Sequence, residues 1–209
     1  NPLTPIQLSA ERLRKRYAKL LKGDGAVLDK CTTTIIRQVE ELKNLVNEFA
    51  QFARLPSVEL AANDLNEIVR EALFLFQEGH KEVGFQFCPG AIPSLELDRN
   101  QMKRALMNLL DNAVAAVDGD GEVKIATNYD RSLAVVSLEV ADNGRGLSPE
   151  VRARVFEPYF STKKDGTGLG LSIVNAIVED HHGYIRVRPN EPRGTKFIIE
   201  LPAREQIAA

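Results

Sequence analysis

The sequence predicts an α+β protein in two parts, an N-terminal helical hairpin followed by a mixed sheet with helices on one face. Three features carry that expectation. Between Leu3 and Ala53 apolar residues recur in heptads on either side of Gly23-Asp24-Gly25. Pro56 ends that regularity, because proline lacks the amide a helix needs and clashes with the preceding turn. Beyond it, alternating apolar runs of strand length are interleaved with helical spacing, as in a sheet layered against helices. The expected domains are 1–56 and 57–209.

In the first part, Leu3, Ile6, Ala10, Leu13, Tyr17 and Leu20 follow steps of three and four. Leu28, Cys31, Ile35, Val39, Leu42, Val46, Phe49 and Ala53 repeat the pattern with one extra step of four. Such stripes are the seams of long helices, and the Gly-Asp-Gly segment tolerates a chain reversal. One hairpin cannot bury both stripes, so a dimeric four-helix bundle is expected; packing of both helices on the rest of the same chain is the plainer alternative.

In the second part, Asn63 or Asp64 can cap a helix running to about Gln77, and Val83 to Phe87 alternates as a strand. A helix from about Asp98 to Val117 turns Met102, Leu106, Leu109, Ala113 and Val117 inward and leaves Asn108 and Asn112 on another face. Strands are expected at Glu122 to Asn128 and Leu133 to Ala141, with Tyr129 to Ser132 as the turn. Leu147 to Asp165 is polar and interrupted by Pro149 and Pro158, as a mobile lid would be. A helix over Leu171 to Val178 and strands at Tyr184 to Arg188 and Lys196 to Leu201 complete the chain.

Composition narrows the function. The 209 residues carry 27 basic and 29 acidic side chains and 44% hydrophobic residues, enough for a substantial core but with no field favouring nucleic acid. Apolar runs such as Ala113 to Val117 fall far short of the roughly 20 residues a bilayer requires. No signal peptide is read at the start, and Cys31 and Cys88 could form at most one bridge. A cytoplasmic protein or fragment is expected.

The chemistry concentrates in three segments. Asn108-Leu109-Leu110-Asp111-Asn112-Ala113 sets two carboxamides one helical turn apart. Asp142-Asn143-Gly144-Arg145-Gly146 and Gly166-Thr167-Gly168-Leu169-Gly170-Leu171 are glycine clusters, which let backbone amides close around a ligand. Together they point to ATP. Asp142, at a strand end, can accept a hydrogen bond from an exocyclic amine such as that of adenine, although an Asp-Asn-Gly sequence alone is a common turn. Gly166, Gly168 and Gly170 precede a helix whose N-terminal amides suit phosphate. Their spacing is not the dinucleotide fingerprint, and no P-loop occurs. Asn112 is the candidate magnesium ligand, a hard oxygen donor beside phosphate oxygens and water; Asn108 can hold a phosphate or a metal-bound water. Lys163 and Lys164 can meet phosphate or merely solubilise.

These residues resemble a known family. Asn108-x-x-x-Asn112, Asp142-x-Gly144-x-Gly146, Phe156-Glu157-Pro158-Tyr159-Phe160, Gly166-Thr167-Gly168-Leu169-Gly170 and Gly194-Thr195 are similar, in order, to the N, G1, F, G2 and G3 boxes of bacterial sensor histidine kinases in the GHKL ATPase superfamily. Asn1-Pro2-Leu3-Thr4-Pro5-Ile6 looks like the tail of the family's H-box. With Gln7 to Leu13 it is most similar to nitrogen-regulation kinases of the NtrY type.

The resemblance implies a dimerisation and histidine-phosphotransfer hairpin, then a catalytic GHKL (Bergerat) α/β sandwich that binds Mg-ATP and transfers its γ-phosphoryl group. Adenine is expected at Asp142, magnesium at Asn112, and phosphates under a lid spanning Leu147 to Thr167, with Lys163, Gly166, Thr167, Gly168, Leu169 and Gly170 around them. Gly144 and Gly146 line the G1 turn, Thr195 reaches toward adenine, and Phe156 and Phe160 anchor the lid to the hairpin or the domain body. The implied partners are a second copy and a response-regulator receiver domain, with a membrane reached only through upstream segments of the parent protein.

Two departures qualify the resemblance. The acceptor histidine is expected four positions before Asn1, and His80, His181 and His182 lie outside the hairpin; autophosphorylation of this chain alone is therefore not expected. His181-His182-Gly183 reads instead as a helix end, cationic at the negative pole and stopped by glycine. Ala115 stands where many members carry a basic phosphate contact, for which Arg104 can compensate. Asn1 takes the family position associated with orienting water for dephosphorylation. The competing functions are a GHKL ATPase with a glutamate-activated water, against which Asn108 replaces the carboxylate, and a non-catalytic nucleotide-binding scaffold.

Overall fold

The computed structural model describes residues 3–17, 25–53, 58–117, 121–163 and 166–203. Asn1, Gly23, Asp24, Pro56 and Lys164 lie outside them. The chain divides into two compact units, Asn1–Leu55 with Lys163–Thr167, and Pro56–Thr162 with Gly168–Ala209.

The first unit is built on α1 (Leu3–Tyr17) and α2 (Gly25–Ala53), which pack on each other. Their shared seam buries Ala10, Thr32 and Val39. Thr32 donates its hydroxyl to Leu28 O at 2.8 Å, so its burial leaves no polar group unmet. Cys31, expected in the stripe, is exposed: the seam runs one position further along, through the threonine. Ile6, Leu13, Ile35, Leu42 and Val46, all expected inside, keep 43–52% of their surface exposed within this chain.

The second unit is a two-layer sandwich. Five strands are ordered β2-β4-β5-β7-β6: Gly84–Cys88, Glu122–Asp130, Val135–Asp142, Thr195–Pro202 and Tyr184–Pro189. Only β2 runs parallel to its neighbour; the other pairs are antiparallel, so the sheet is mixed. The registers Ile125↔Val140↔Phe197 and Thr127↔Leu138↔Ile199 place one row of side chains under the helices. The opposite face carries ion pairs, Lys196–Glu139 at 3.0 Å and Arg186–Glu200.

Helices α3 (Leu65–Gly79), α4 (Arg99–Val114) and α6 (Gly170–Asp180) cover the apolar face. Of the two caps considered, Asp64 serves, accepting from Asn66 N at 2.8 Å. Leu65, Ile68, Val69, Ala72, Leu73 and Phe76 then face inward. Helix α4 packs on both α3 and α6 and buries Met102, Leu106, Leu109, Leu110 and Ala113, each large side chain stabilising by about 1.5–3 kcal/mol.

Several boundaries differ from the sequence expectation. Strands β1 (Ala61–Asn63) and β3 (Leu95–Leu97) form a small antiparallel ribbon, too short to show alternation. The β4–β5 reversal lies at 131–134 because Asp130 Oδ1 accepts from Ser132 N and Leu133 N, at 2.8 and 3.2 Å, and so nucleates the turn two residues later. Within the expected lid, Pro149 starts α5 (Pro149–Arg154), since proline at the first helical position gives up only an amide that has no partner there. The helix-end reading of 181–183 also changes. His181 is 3% exposed and accepts from Asp98 N on Nε2 at 2.9 Å. The residue in the left-handed conformation is His182, at φ 56°. With His182 N on Glu179 O and Gly183 N on Val178 O, it forms a Schellman end.

Candidate functional site

The site forms where α4, the end of β5 and the β6–β7 turn meet. Asp142, the last residue of β5, is 3% exposed. Its Oδ1 accepts from Gly144 N at 2.8 Å and Thr195 N at 3.2 Å. Burial raises the Asp142 carboxyl above its ordinary pKa, and backbone hydrogen bonds from Gly144, Thr195 and Asp142 itself offset part of that rise. A desolvated carboxylate with one oxygen fixed presents the other as an acceptor for a ligand donor.

The glycines here are demanded by close approach. A Cβ on Gly194, at φ 117°, would stand 1.9 Å from Asp142 O, and one on Gly144 would stand 2.3 Å from Ala116 O. Gly146, at φ 73°, abuts Gly194 O. The G1 and G3 segments therefore interlock backbone to backbone, and Arg145 N donates to Ala116 O at 3.1 Å to tie both to the end of α4. Thr195 is buried beside Asp142.

Asn108 and Asn112 are half-buried on α4. Asn112 Nδ2 donates to Asn108 O at 2.9 Å, and Asn108 Nδ2 to Arg104 O at 3.2 Å. Each amide group is thus tied back along the helix, which orients Oδ1 as the acceptor edge. A Cβ on Gly170, at the start of α6, would lie 3.3 Å from Asn108 Oδ1, so the G2 glycine makes room for the N-box carboxamide. A carboxamide oxygen next to a helix N-terminus suits magnesium with phosphate oxygens. Among the described residues no group of three or more His, Cys, Asp or Glu side chains can hold a metal.

Leu169 is buried as the N-cap of α6 and supplies backbone there. Gly168, at φ 72°, fits against the backbone of Tyr159 and Phe160 and accepts from Tyr159 N at 3.0 Å. Phe156 packs edge-on against Phe197 of β7, with ring centroids 6.3 Å apart, so its anchor is the domain body; Phe160 lies under the Arg154 guanidinium. Lys163, Gly166 and Thr167 fall outside this compact unit. Ala115 caps α4 and is exposed.

Three residues not singled out from the sequence brace the carboxylate segment. Asn190 Nδ2 donates to Asp142 O at 2.9 Å, and Arg193 Nε to Gly144 O at 2.9 Å and Asn143 O at 3.3 Å. Asn143 Oδ1 accepts from Glu122 N at 2.8 Å. Their sequence context, polar residues in turns, carried no distinguishing signal.

Fold and site define an ATPase module of the GHKL type. Residues 97–205 match the family described as histidine kinase-, DNA gyrase B-, and HSP90-like ATPase, and the chain belongs to that family. Among named proteins it is similar to the nitrogen regulation protein NtrY of Azorhizobium caulinodans, 40% identical over 99% of this chain and 27% of that protein. It is also similar to the sensor histidine kinase ZraS of Escherichia coli, 30% identical over 97% of this chain and 43% of that protein. The chain thus spans less than half the length of either relative. Solved structures that cover nearly all of it include those of ThkA and ShkA. Histidine kinase ThkA in complex with the response regulator protein TrrA is 30% identical, with TM-score 0.72, over 97% of this chain and 58% of that one. Full-length ShkA in complex with AMPPNP is 27% identical, with TM-score 0.71, over 96% and 43%. The family recognised from the five boxes and the likeness to NtrY are therefore borne out. Among the described residues no helix is long and apolar enough to cross a membrane.

Proposed function

We propose that this chain is the catalytic core of a two-component sensor histidine kinase that binds Mg-ATP and transfers the γ-phosphoryl group to a histidine for relay to a response-regulator aspartate. Residues 1–56 act as the dimerisation and phosphotransfer hairpin and 57–209 as the ATP-binding domain. The half-exposed heptad residues of α1 and α2 support a four-helix bundle built with a second copy. The likeness to sensor kinases supports a cytoplasmic location, with the parent protein held at the membrane by other segments.

The observation that carries the nucleotide assignment is the buried Asp142 carboxylate, with Oδ1 fixed by two backbone amides. Its other oxygen receives the adenine amine, with Thr195 beside it and Gly144 and Gly146 closing the turn. Asn112 holds magnesium, which neutralises phosphate charge when bound. Asn108 orients the phosphates, the α6 N-terminus at Gly168, Leu169 and Gly170 receives them, and Lys163, Gly166 and Thr167 complete their surroundings. Rate enhancement then comes from positioning and charge neutralisation. Asn108, an amide and not a carboxylate, cannot serve as a general base for water, which favours transfer over hydrolysis. In the parent protein Asn1 orients water for dephosphorylation of the regulator.

Calorimetric titration with AMPPNP, with and without magnesium, tests the assignment. Asn112→Ala is expected to remove the magnesium-dependent part of the affinity and leave the unfolding midpoint unchanged. Equal magnesium dependence in the variant overturns the metal role.

A further inference from the structure

The turn between β6 and β7 does more to the Asp142 segment than close a hairpin. Three consecutive carbonyls, those of Asp142, Asn143 and Gly144, are each taken by a side chain from this turn: Asn190 Nδ2 bonds the first at 2.9 Å, and Arg193 Nε bonds the second and third at 3.3 and 2.9 Å. The turn is itself closed by Asn190 N donating to Gly194 O at 3.0 Å. It lies flush against the segment because Gly194 has no side chain to strike Asp142 O.

Such bracing is needed at this position. Gly144 and Gly146 flank Arg145, and glycine peptide planes rotate with little steric resistance. A carbonyl held by a donor fixes the ψ angle of its residue, and ψ at Asp142 and Asn143 sets where Gly144 N, the donor to Asp142 Oδ1, can stand. The direction in which Oδ2 points therefore depends on the side chains of Asn190 and Arg193. Arg193 is exposed and Asn190 half-buried, so neither contributes much to the core.

We propose that Asn190 and Arg193 are positioning residues that set the nucleobase selectivity of the site by fixing the aim of Asp142. This rests on the reading of Asp142 as the acceptor for the adenine amine. It predicts a selective effect: ligands that use the amine lose affinity when the turn is cut, and ligands that lack it do not.

The test compares ATP with purine riboside triphosphate, which lacks the exocyclic amine, by fluorescence competition on the whole chain. The unmodified protein is expected to favour ATP by about tenfold or more, the value of one charge-assisted bond. In Arg193→Ala the preference falls to about threefold or less, with purine riboside triphosphate affinity within about twofold of the original, on the same physical scale. Asn190→Ala moves the ratio in the same direction, and circular dichroism reports the fold of each variant; should Arg193→Ala not fold, Asn190→Ala carries the test. Arg193→Met keeps the length of the stem but has no donor for either carbonyl, so it is expected to lower the ratio as alanine does. Full restoration by methionine assigns the effect to packing of the stem and overturns the proposal. Equal loss for both nucleotides overturns it too, as an unselective structural effect. A preference retained in both alanine variants overturns the clamp while leaving the adenine reading intact, whereas no preference in the unmodified protein removes the adenine reading itself.

Discussion

Asp142→Asn separates what the carboxylate does for the ligand from what it does for the fold. Asp142 Oδ1 accepts two backbone amides, so an asparagine here must keep its oxygen on that side; the opposite rotamer would aim an NH2 group at two N–H donors. Its nitrogen then occupies the Oδ2 position and faces the adenine amine donor to donor. The lost contact, a hydrogen bond to a charged group, is worth about 1.5–3 kcal/mol, a rise of roughly 10- to 150-fold in Kd for an ATP analogue.

Stability should not follow affinity. Burial raises the folded-state pKa of Asp142 above that of the unfolded chain, so the native state binds the proton more tightly. That contribution is fully present below the unfolded pKa and is lost as pH rises through the folded one. At pH 7 the ionised carboxylate is thus a net burden on the ligand-free fold, and the neutral asparagine is expected to be equally or more stable, with its advantage shrinking as pH falls toward 3.8. Titration calorimetry gives the first quantity and urea denaturation across pH the second. A variant that binds normally, or one that loses stability at pH 7 in step with affinity, refutes the reasoning.

Gly194→Ala forces a Cβ to 1.9 Å from Asp142 O at a residue with φ 117°; backbone strain and overpacking predict a loss of about 2–4 kcal/mol, visible by calorimetry as a lower Tm, together with loss of nucleotide binding. An unchanged Tm would show that the β6–β7 turn yields without resistance. His181→Ala removes a buried ring that accepts from Asp98 N and contacts Ile177 O at 2.7 Å, leaving an unmet amide and a cavity at the start of α4, for an expected loss of about 2–4 kcal/mol in urea denaturation; a loss below about 1 kcal/mol would mean that water replaces the ring. A fragment of residues 1–56 is expected to scatter light as a dimer at micromolar concentration, given the apolar residues α1 and α2 leave exposed. A helical monomer would remove the support for the bundle.

Much of the architecture was legible locally. The 3.6-residue spacing of Met102, Leu106, Leu109 and Ala113 defines α4 and, by subtraction, the face on which Asn108 and Asn112 stand. Alternation located β4, β5 and β7 because each has one face under the helices. Where local signals failed, the deciding interactions were short or distant. The β1–β3 ribbon has three residues per strand, too few for a period. Pro149 was read as a breaker, but its place after the capping Ser148 makes it a helix start.

What the sequence determined by itself is the set of glycines, carboxamides and the aspartate, because these residue types are constrained by chemistry that operates within a few positions: backbone approach, helix-face spacing and acceptor charge. What only the tertiary structure decided is how they are held. That Asp98 and His181 bond across 83 positions, and Asn190 and Asp142 across 48, depends on the order β5-β7-β6 and on the packing of α4 against α6. No local pattern encodes such pairings: an asparagine or arginine in a turn is ordinary for the turn's own sake, and its carbonyl partners lie at the end of β5 and in the turn after it, brought alongside only by the folded sheet.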